Sequence, residues 1–139
     1  MEANKALVRH WLDLWNQHAL DQLAGLVAPN YVHHTSAGDH VDFSSFQQGF
    51  AAVLHAYPDM HYTISHLFAE GDLTAVYVNA TGTQQGSFFG IAPNGSRSSF
   101  TGIYHCRIQN GQIVEDWDIF DLLTALFRLG ATIQAGASS

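Results

Sequence analysis

The spacing of apolar residues changes once along this chain, near His61, and that change sets the fold class. Before it, apolar residues recur every three or four positions. Leu7, Trp11, Leu14 and Trp15 share one helical face bordered by His10, and Asn16-Gln-His ends the pattern. A second short helix is predicted from Asp21 to Val27, closed by Pro29-Asn30. Tyr31-Val-His-His34 reads as extended, and Ser36-Ala-Gly38 as a loop. Asp42 is placed to cap a third helix whose stripe is Phe43, Phe46, Phe50, Val53 and Leu54, ended by Pro58-Asp59. After His61 the period is two. Strands are predicted over 61–69, 73–84, 97–109 and 112–120, with tight turns at Glu70-Gly-Asp72 and Asn110-Gly111 and a longer loop from Gly90 to Gly95. Asp121 caps a last helix carrying Leu122, Leu123, Leu126 and Leu129, which stops at Gly130. The tail from Ala131 to Ser139 is predicted to fray.

Helices first and antiparallel strands later predict an α+β fold, with the helices packed on one face of a curved sheet. A chain of 139 residues suits a single domain, 1–139, that buries about two-thirds of its unfolded surface. The second strand is apolar on both sides: Val76 and Val78 on one, Ala75 and Tyr77 on the other. One side packs on helices, and the other needs a partner, so a homodimer is expected.

Charged residues make up only 12% of the chain, about half the usual share, which favours a real core and a cavity or interface. The net charge is −7, and the five basic residues (Lys5, Arg9, Arg97, Arg107 and Arg128) form no stripe. Nucleic acid and anionic membranes are therefore not expected partners. No apolar run is long enough to span a bilayer, and the N-terminus lacks a signal peptide's layout. With Cys106 as the only cysteine, a cytoplasmic location is expected.

Four of the twelve acidic residues fall within seven positions: Glu115, Asp116, Asp118 and Asp121, threaded around Trp117 and Phe120. Strand alternation puts Asp116, Asp118 and Phe120 on one face and turns Glu115 away. Asp121 is explained as a helix cap. A carboxyl buried among aromatics has its pKa raised and can exchange a proton with a carbon acid or an alkoxide, which makes Asp118 the leading catalytic candidate. The alternative is a surface carboxylate on an edge strand. Asp116 is expected nearer the strand's mouth, solvated, as a substrate-side residue. His33 and His34 are adjacent on an extended segment, so at most one faces a cavity; the other option is a rim histidine bonded to backbone. Candidates for the cavity wall are His10, Trp15, Tyr31, Phe50, Phe89, Tyr104 and Trp117, each of which could equally be plain core. As a group, nine Phe, five Tyr and three Trp support an apolar cavity for a flat ligand. His33, His34, Asp39 and His40 lack zinc-site spacing, and Asp116-x-Asp118 lacks the rest of a calcium loop, so no metal is expected. Cys106 has no evident activating neighbour beyond His105.

Several landmarks recur together: Trp15-Asn16, Ala28-Pro-Asn-Tyr31, Tyr57-Pro-Asp59, Gly90-Ile-Ala-Pro-Asn-Gly95, Leu126-Phe-Arg-Leu-Gly130 and, strongest, Arg107-Ile-Gln-Asn-Gly-Gln-Ile-Val-Glu-Asp-Trp-Asp118. In their order over about residues 4–130 the chain resembles the SnoaL-like polyketide cyclases of the NTF2-like superfamily. The resemblance implies a cone: a curved, mostly antiparallel sheet wrapped around N-terminal helices, with an apolar cavity. It implies ring closure by intramolecular aldol condensation of an apolar, polyketide-like carbonyl substrate, without metal or organic cofactor. The family's acid/base aspartate falls on Asp118. Relatives are similar in keeping a histidine at the His34 position, which makes His34 the histidine of choice. The cyclases' pocket histidine falls on Tyr104 and not on His105. Tyr104 can donate a hydrogen bond to an oxyanion but cannot titrate like histidine near neutral pH. Two alternatives stay open: a non-catalytic binding protein, and an isomerase, dehydratase or epoxide hydrolase-like reaction in the same pocket.

Overall fold

The computed structural model describes residues 1–136. Its helices are α1 (Glu2–Asn16), α2 (Leu20–Leu23), α3 (Phe43–Ala56) and α4 (Leu122–Arg128). Its strands are β1 (Val27–His34), β2 (His40–Val41), β3 (His61–Glu70), β4 (Leu73–Thr83), β5 (Arg97–Gln109) and β6 (Gln112–Phe120). They form one sheet in the order β2-β1-β6-β5-β4-β3. Only β1 and β6 run parallel; every other neighbouring pair is antiparallel. This is the expected α+β cone, with the helices gathered on one side of the sheet.

Local chemistry accounts for the elements. Asp42 caps α3 by accepting a hydrogen bond from the Ser45 amide at 2.9 Å, and Asp121 caps α4 by accepting one from the Thr124 amide at 3.0 Å. Asn110 and Gly111 both take positive φ, the geometry a two-residue hairpin with the right twist demands. Asn16, the last residue of α1, pins the helix to β3. Its side-chain amide donates to the Tyr62 carbonyl at 2.9 Å and accepts from the Tyr62 amide at 2.7 Å.

Two segments differ from the sequence expectation. The second helix is one turn long, followed by a 3₁₀ turn at Ala24–Leu26, and Val27 already belongs to β1. Gly25 is a poor helix former, and Val27 gains a place opposite Ile113 on β6. The ladder then slips in register between Val27 and Val32, where Pro29 lacks an amide to donate. The second difference is β2, too short for any periodicity to reveal. The predicted fraying concerns 131–139: residues 131–136 carry no regular structure, and 137–139 lie outside the described residues. Among the described residues no helix is long and apolar enough to cross a membrane.

The core lies between α1, α3 and the inner face of the sheet. Trp11 and Trp15 are buried there against Phe46, Phe50, Tyr62 and Tyr104. The inner face of β5 alternates Ser98, Phe100, Gly102, Tyr104 and Cys106, all buried. On β6 the pairing skips Val114, since Arg107 faces Glu115 while Ile108 faces Ile113. That bulge turns both Ile113 and Asp116 inward. Gly102 stands opposite Phe120, whose ring covers the bare backbone. A Cβ at Gly102 would collide with that ring. Gly102→Ala is expected to cost about 1–3 kcal/mol and to alter the near-ultraviolet aromatic signal, as read by thermal melting and circular dichroism. An unchanged melting temperature would show that Phe120 swings aside freely.

Candidate active site

A cavity of about 310 Å³ opens between α1, α3 and the inner face of the sheet. Trp15, Phe46, Phe50, Tyr62, Phe100 and Phe120 make its walls. Three titratable groups line it, His33 of β1, Asp118 of β6 and the Tyr62 phenol of β3, with the hydroxyl-bearing Thr35, Ser36 and Ser45 nearby. Burial and the charge of Asp118 push the Tyr62 phenol up, so it stays protonated. His33 Nε2 stands 3.8 Å from Asp118 Oδ2.

The pair is held from behind by Asp116, which has no solvent exposure. His33 Nδ1 donates to Asp116 Oδ1 at 2.6 Å. Tyr31 and Tyr104 donate their phenol protons to Asp116 Oδ2 at 2.7 and 2.6 Å. A carboxylate accepts but does not donate, so the hydrogen bond at Nδ1 sets the ring's orientation and aims Nε2 into the cavity. Removing a carboxylate from water costs several kcal/mol, and three short hydrogen bonds offset it.

Register explains the convergence. His33 lies beside Asp116 in the parallel β1–β6 pair, Tyr31 sits two residues earlier on the same face, and Tyr104 approaches from β5. Burial and the negative charge of Asp116 push both phenols well above their ordinary value, so they remain donors. Burial works to lower the His33 pKa, but the hydrogen bond and charge of Asp116, with the charge of Asp118, outweigh it and the net shift is upward. Asp118 is also raised: burial is the main cause, eased by the charge of His33 and reinforced by that of Asp116. The Cys106 thiol is pushed up to about 12, chiefly by burial, so it is no nucleophile at neutral pH.

A family model described as SnoaL-like polyketide cyclase matches residues 5–129. The chain belongs to the SnoaL-like polyketide cyclase family. Among solved structures it is similar to AclR from Streptomyces galilaeus, described as "a putative hydroxylase", at 29% identity and a TM-score of 0.90, over 98% of this chain and 86% of that one. It is also similar to IdmH from Streptomyces antibioticus, described as "a putative polyketide cyclase", at 29% identity and a TM-score of 0.83, over 92% of this chain and 99% of that one. A SnoaL-like protein from Jannaschia shares the fold at 20% identity and a TM-score of 0.85, over 95% of this chain and 94% of that one. No curated protein sequence matches the chain.

On this SnoaL-like scaffold the predicted site residues are only partly brought together. Asp118, Trp15 and Phe50 line the cavity. Tyr31 and Tyr104 lie one layer behind, on Asp116. Asp116 itself is not a solvated rim residue, because β6 is a central strand flanked by β1 and β5. Of the two adjacent histidines, it is His33 that lines the cavity and not the expected His34. His34 points to the outer face, bonded through Nε2 to Glu115 Oε2 at 2.9 Å and stacked on Trp117 at 4.6 Å. Trp117 shares that outer face by alternation and touches His105. His10 is exposed on α1. Phe89 is exposed at a loop tip beside a neighbouring hollow. His33 was the missed residue, and the only sequence signal for it was parity with an inward-facing Asp116 on a strand whose neighbour was unknown.

The two aspartates carry opposite energetic signs. The folded chain binds the Asp118 proton more tightly than the unfolded chain does, so ionisation of Asp118 at neutral pH costs folding free energy. Asp118→Asn is therefore expected to raise the melting temperature at pH near 7. Asp116→Asn turns an acceptor into a donor facing three donors, and is expected to cost about 3 kcal/mol. His33 contributes stability that is complete below its ordinary 6.5 and is lost as pH rises through its raised folded value. Melting curves against pH check all three; a lower melting temperature for Asp118→Asn would contradict the burial penalty.

Proposed function

We propose that this chain is a polyketide cyclase-like enzyme that closes a ring by intramolecular aldol condensation, with Asp118 as the acid/base and His33 as the oxyanion partner. The observation that carries it is the facing of Asp118 and His33 across 3.8 Å inside an apolar cavity, with His33 locked by Asp116. That gap is too long for a hydrogen bond, yet one substrate oxygen or α-hydrogen fits against both groups. Asp118 removes an α-proton, and the electron pair moves into an enolate whose oxygen accepts a hydrogen bond from His33 Nε2. The enolate carbon attacks a second carbonyl of the same molecule, a carbon–carbon bond forms, and the new alkoxide takes its proton back from Asp118. Every proton is accounted for by this chain's own residues. Tyr31 and Tyr104 are positioning residues that act through Asp116.

A pure binding site would need only the aromatic walls. It would gain nothing from burying an ionisable pair whose desolvation costs stability, and this favours chemistry over storage. The similar structures carry a hydroxylase and a cyclase description, so the scaffold by itself does not choose the reaction.

The reaction needs Asp118 ionised and His33 protonated. Activity is expected to rise with pH as Asp118 ionises, above the usual carboxylate range, and to fall as His33 loses its proton above 6.5, with both apparent values belonging to the pair. Asp118→Asn and His33→Gln are each expected to lower kcat by about 10²–10⁴ in an assay with an apolar diketone that can cyclise. Unchanged turnover in Asp118→Asn would sink the proposal.

The outer face of the sheet supports a homodimer. Tyr77, Ile103 and Ile119 are direct cross-strand neighbours over β4, β5 and β6, and all three are exposed. Such a row is self-complementary, which suits a two-fold interface. Ile103→Lys is expected to convert the dimer to monomer in analytical ultracentrifugation; a wild-type monomer would rule the interface out.

A further inference from the structure

A second hollow of about 280 Å³ adjoins the reaction cavity. Gly49, Val53 and Phe88 line both, so the two share one partition rather than lying apart. Ala52, Ser87 and Phe89 complete the outer hollow. The inner cavity alone sits at the small end of the range for ligand pockets, and the two together offer about twice its volume.

Two residues around the outer hollow, Gly49 and Phe89, are unusual for their place in the backbone. Gly49 lies inside α3, where glycine weakens a helix, yet a Cβ there would meet no atom within 4 Å. The space a side chain would take at Gly49, which borders both hollows, is left open. Phe88 and Ile91 exchange backbone hydrogen bonds at 3.0 and 2.9 Å, closing a two-residue turn through Phe89 and Gly90. Phe89 holds φ at 49°, a conformation that bulky residues rarely take, and its ring is 68% exposed. The hairpin is nevertheless clamped: Gln84 Nε2 donates to the Gly86 carbonyl at 3.1 Å and the Ile91 carbonyl at 2.9 Å. Phe88 is thus a fixed wall, with the Phe89 ring set edge-on to it at 4.7 Å.

We propose that the outer hollow is a second subsite that takes the apolar tail or distal ring of the substrate whose carbonyl end sits at Asp118 and His33. The tail passes over Gly49 and lies against the Phe89 ring. This rests on the inner cavity being the ligand site. The substrate class is then an elongated apolar carbonyl compound, longer than the inner cavity can enclose. No group in the outer hollow carries a charge, so an uncharged tail is preferred.

The test uses two fluorescent acetylnaphthalenes, one with a methoxy and one with a hexyloxy group on the ring position farthest from the ketone. In the wild type the hexyloxy compound is expected to bind at least about tenfold tighter, since each buried methylene adds affinity. The ratio of the two dissociation constants is expected to fall below about threefold in Gly49→Leu, which fills that open space, and in Phe89→Gly, which removes the wall. Phe89→Gly should also melt higher, because glycine accepts the turn's φ, and this shows the variant is folded. A ratio that neither variant changes would overturn the subsite while leaving the inner cavity intact. Failure of the methoxy compound to bind the wild type would overturn the inner site and the subsite with it.

Discussion

The buried carboxylate of Asp116 is the constraint on which the rest of the site depends. A charge without solvent exposure is stable only if donors converge on it, and here they arrive from two different strands. Tyr31 and His33 come from β1 and Tyr104 from β5, so the carboxylate ties both neighbours of β6 to it. The parallel seam between β1 and β6 joins segments some eighty residues apart in the chain and includes an irregular stretch through Pro29. Convergence on Asp116 adds a side-chain reason for that seam beyond its backbone hydrogen bonds.

The same contact sets the geometry on which the proposed chemistry rests. By accepting the Nδ1 proton, Asp116 turns the other ring nitrogen of His33 toward Asp118. The aromatic walls then surround a pair whose pKa values both rise: a carboxyl that burial makes more basic and an imidazole that neighbouring carboxylates make more basic. Each shift has a cost in folding free energy or a gain at a particular pH, and the site concentrates the unfavourable part on Asp118. Stability is carried by the aspartate one layer back, and the one at the cavity is the proposed acid/base. Two carboxylates two residues apart thereby do different work because one has three donors and the other has a hydrophobic wall.

Much of the fold was legible in the sequence. The switch of period at His61, the caps Asp42 and Asp121 and the Asn110-Gly111 turn are local signals, and local signals survive into tertiary structure when packing agrees with them. Alternation correctly separated Glu115 from Asp116 and Asp118. It could not say which of His33 and His34 faces inward, because an isolated strand has no inside. It also could not see that Tyr31, His33 and Tyr104 converge on Asp116, which by its place near the strand's mouth is expected in water. His10, Phe89 and Trp117 failed as wall residues for a related reason: an aromatic or a histidine near an apolar stripe carries no label for the side it takes.

The sequence by itself determined the element types, the α+β class, the family landmarks and an inward carboxylate at Asp118, because each follows from periodicity, capping or motif order along the chain. Only the tertiary structure decided that His33 rather than His34 meets Asp118 and that Asp116 holds it from behind with two tyrosines. The physical reason is register between β1 and β6. Side chains alternate with a period of two, so a slip of one residue in that long-range pairing would exchange every inward and outward group on β1.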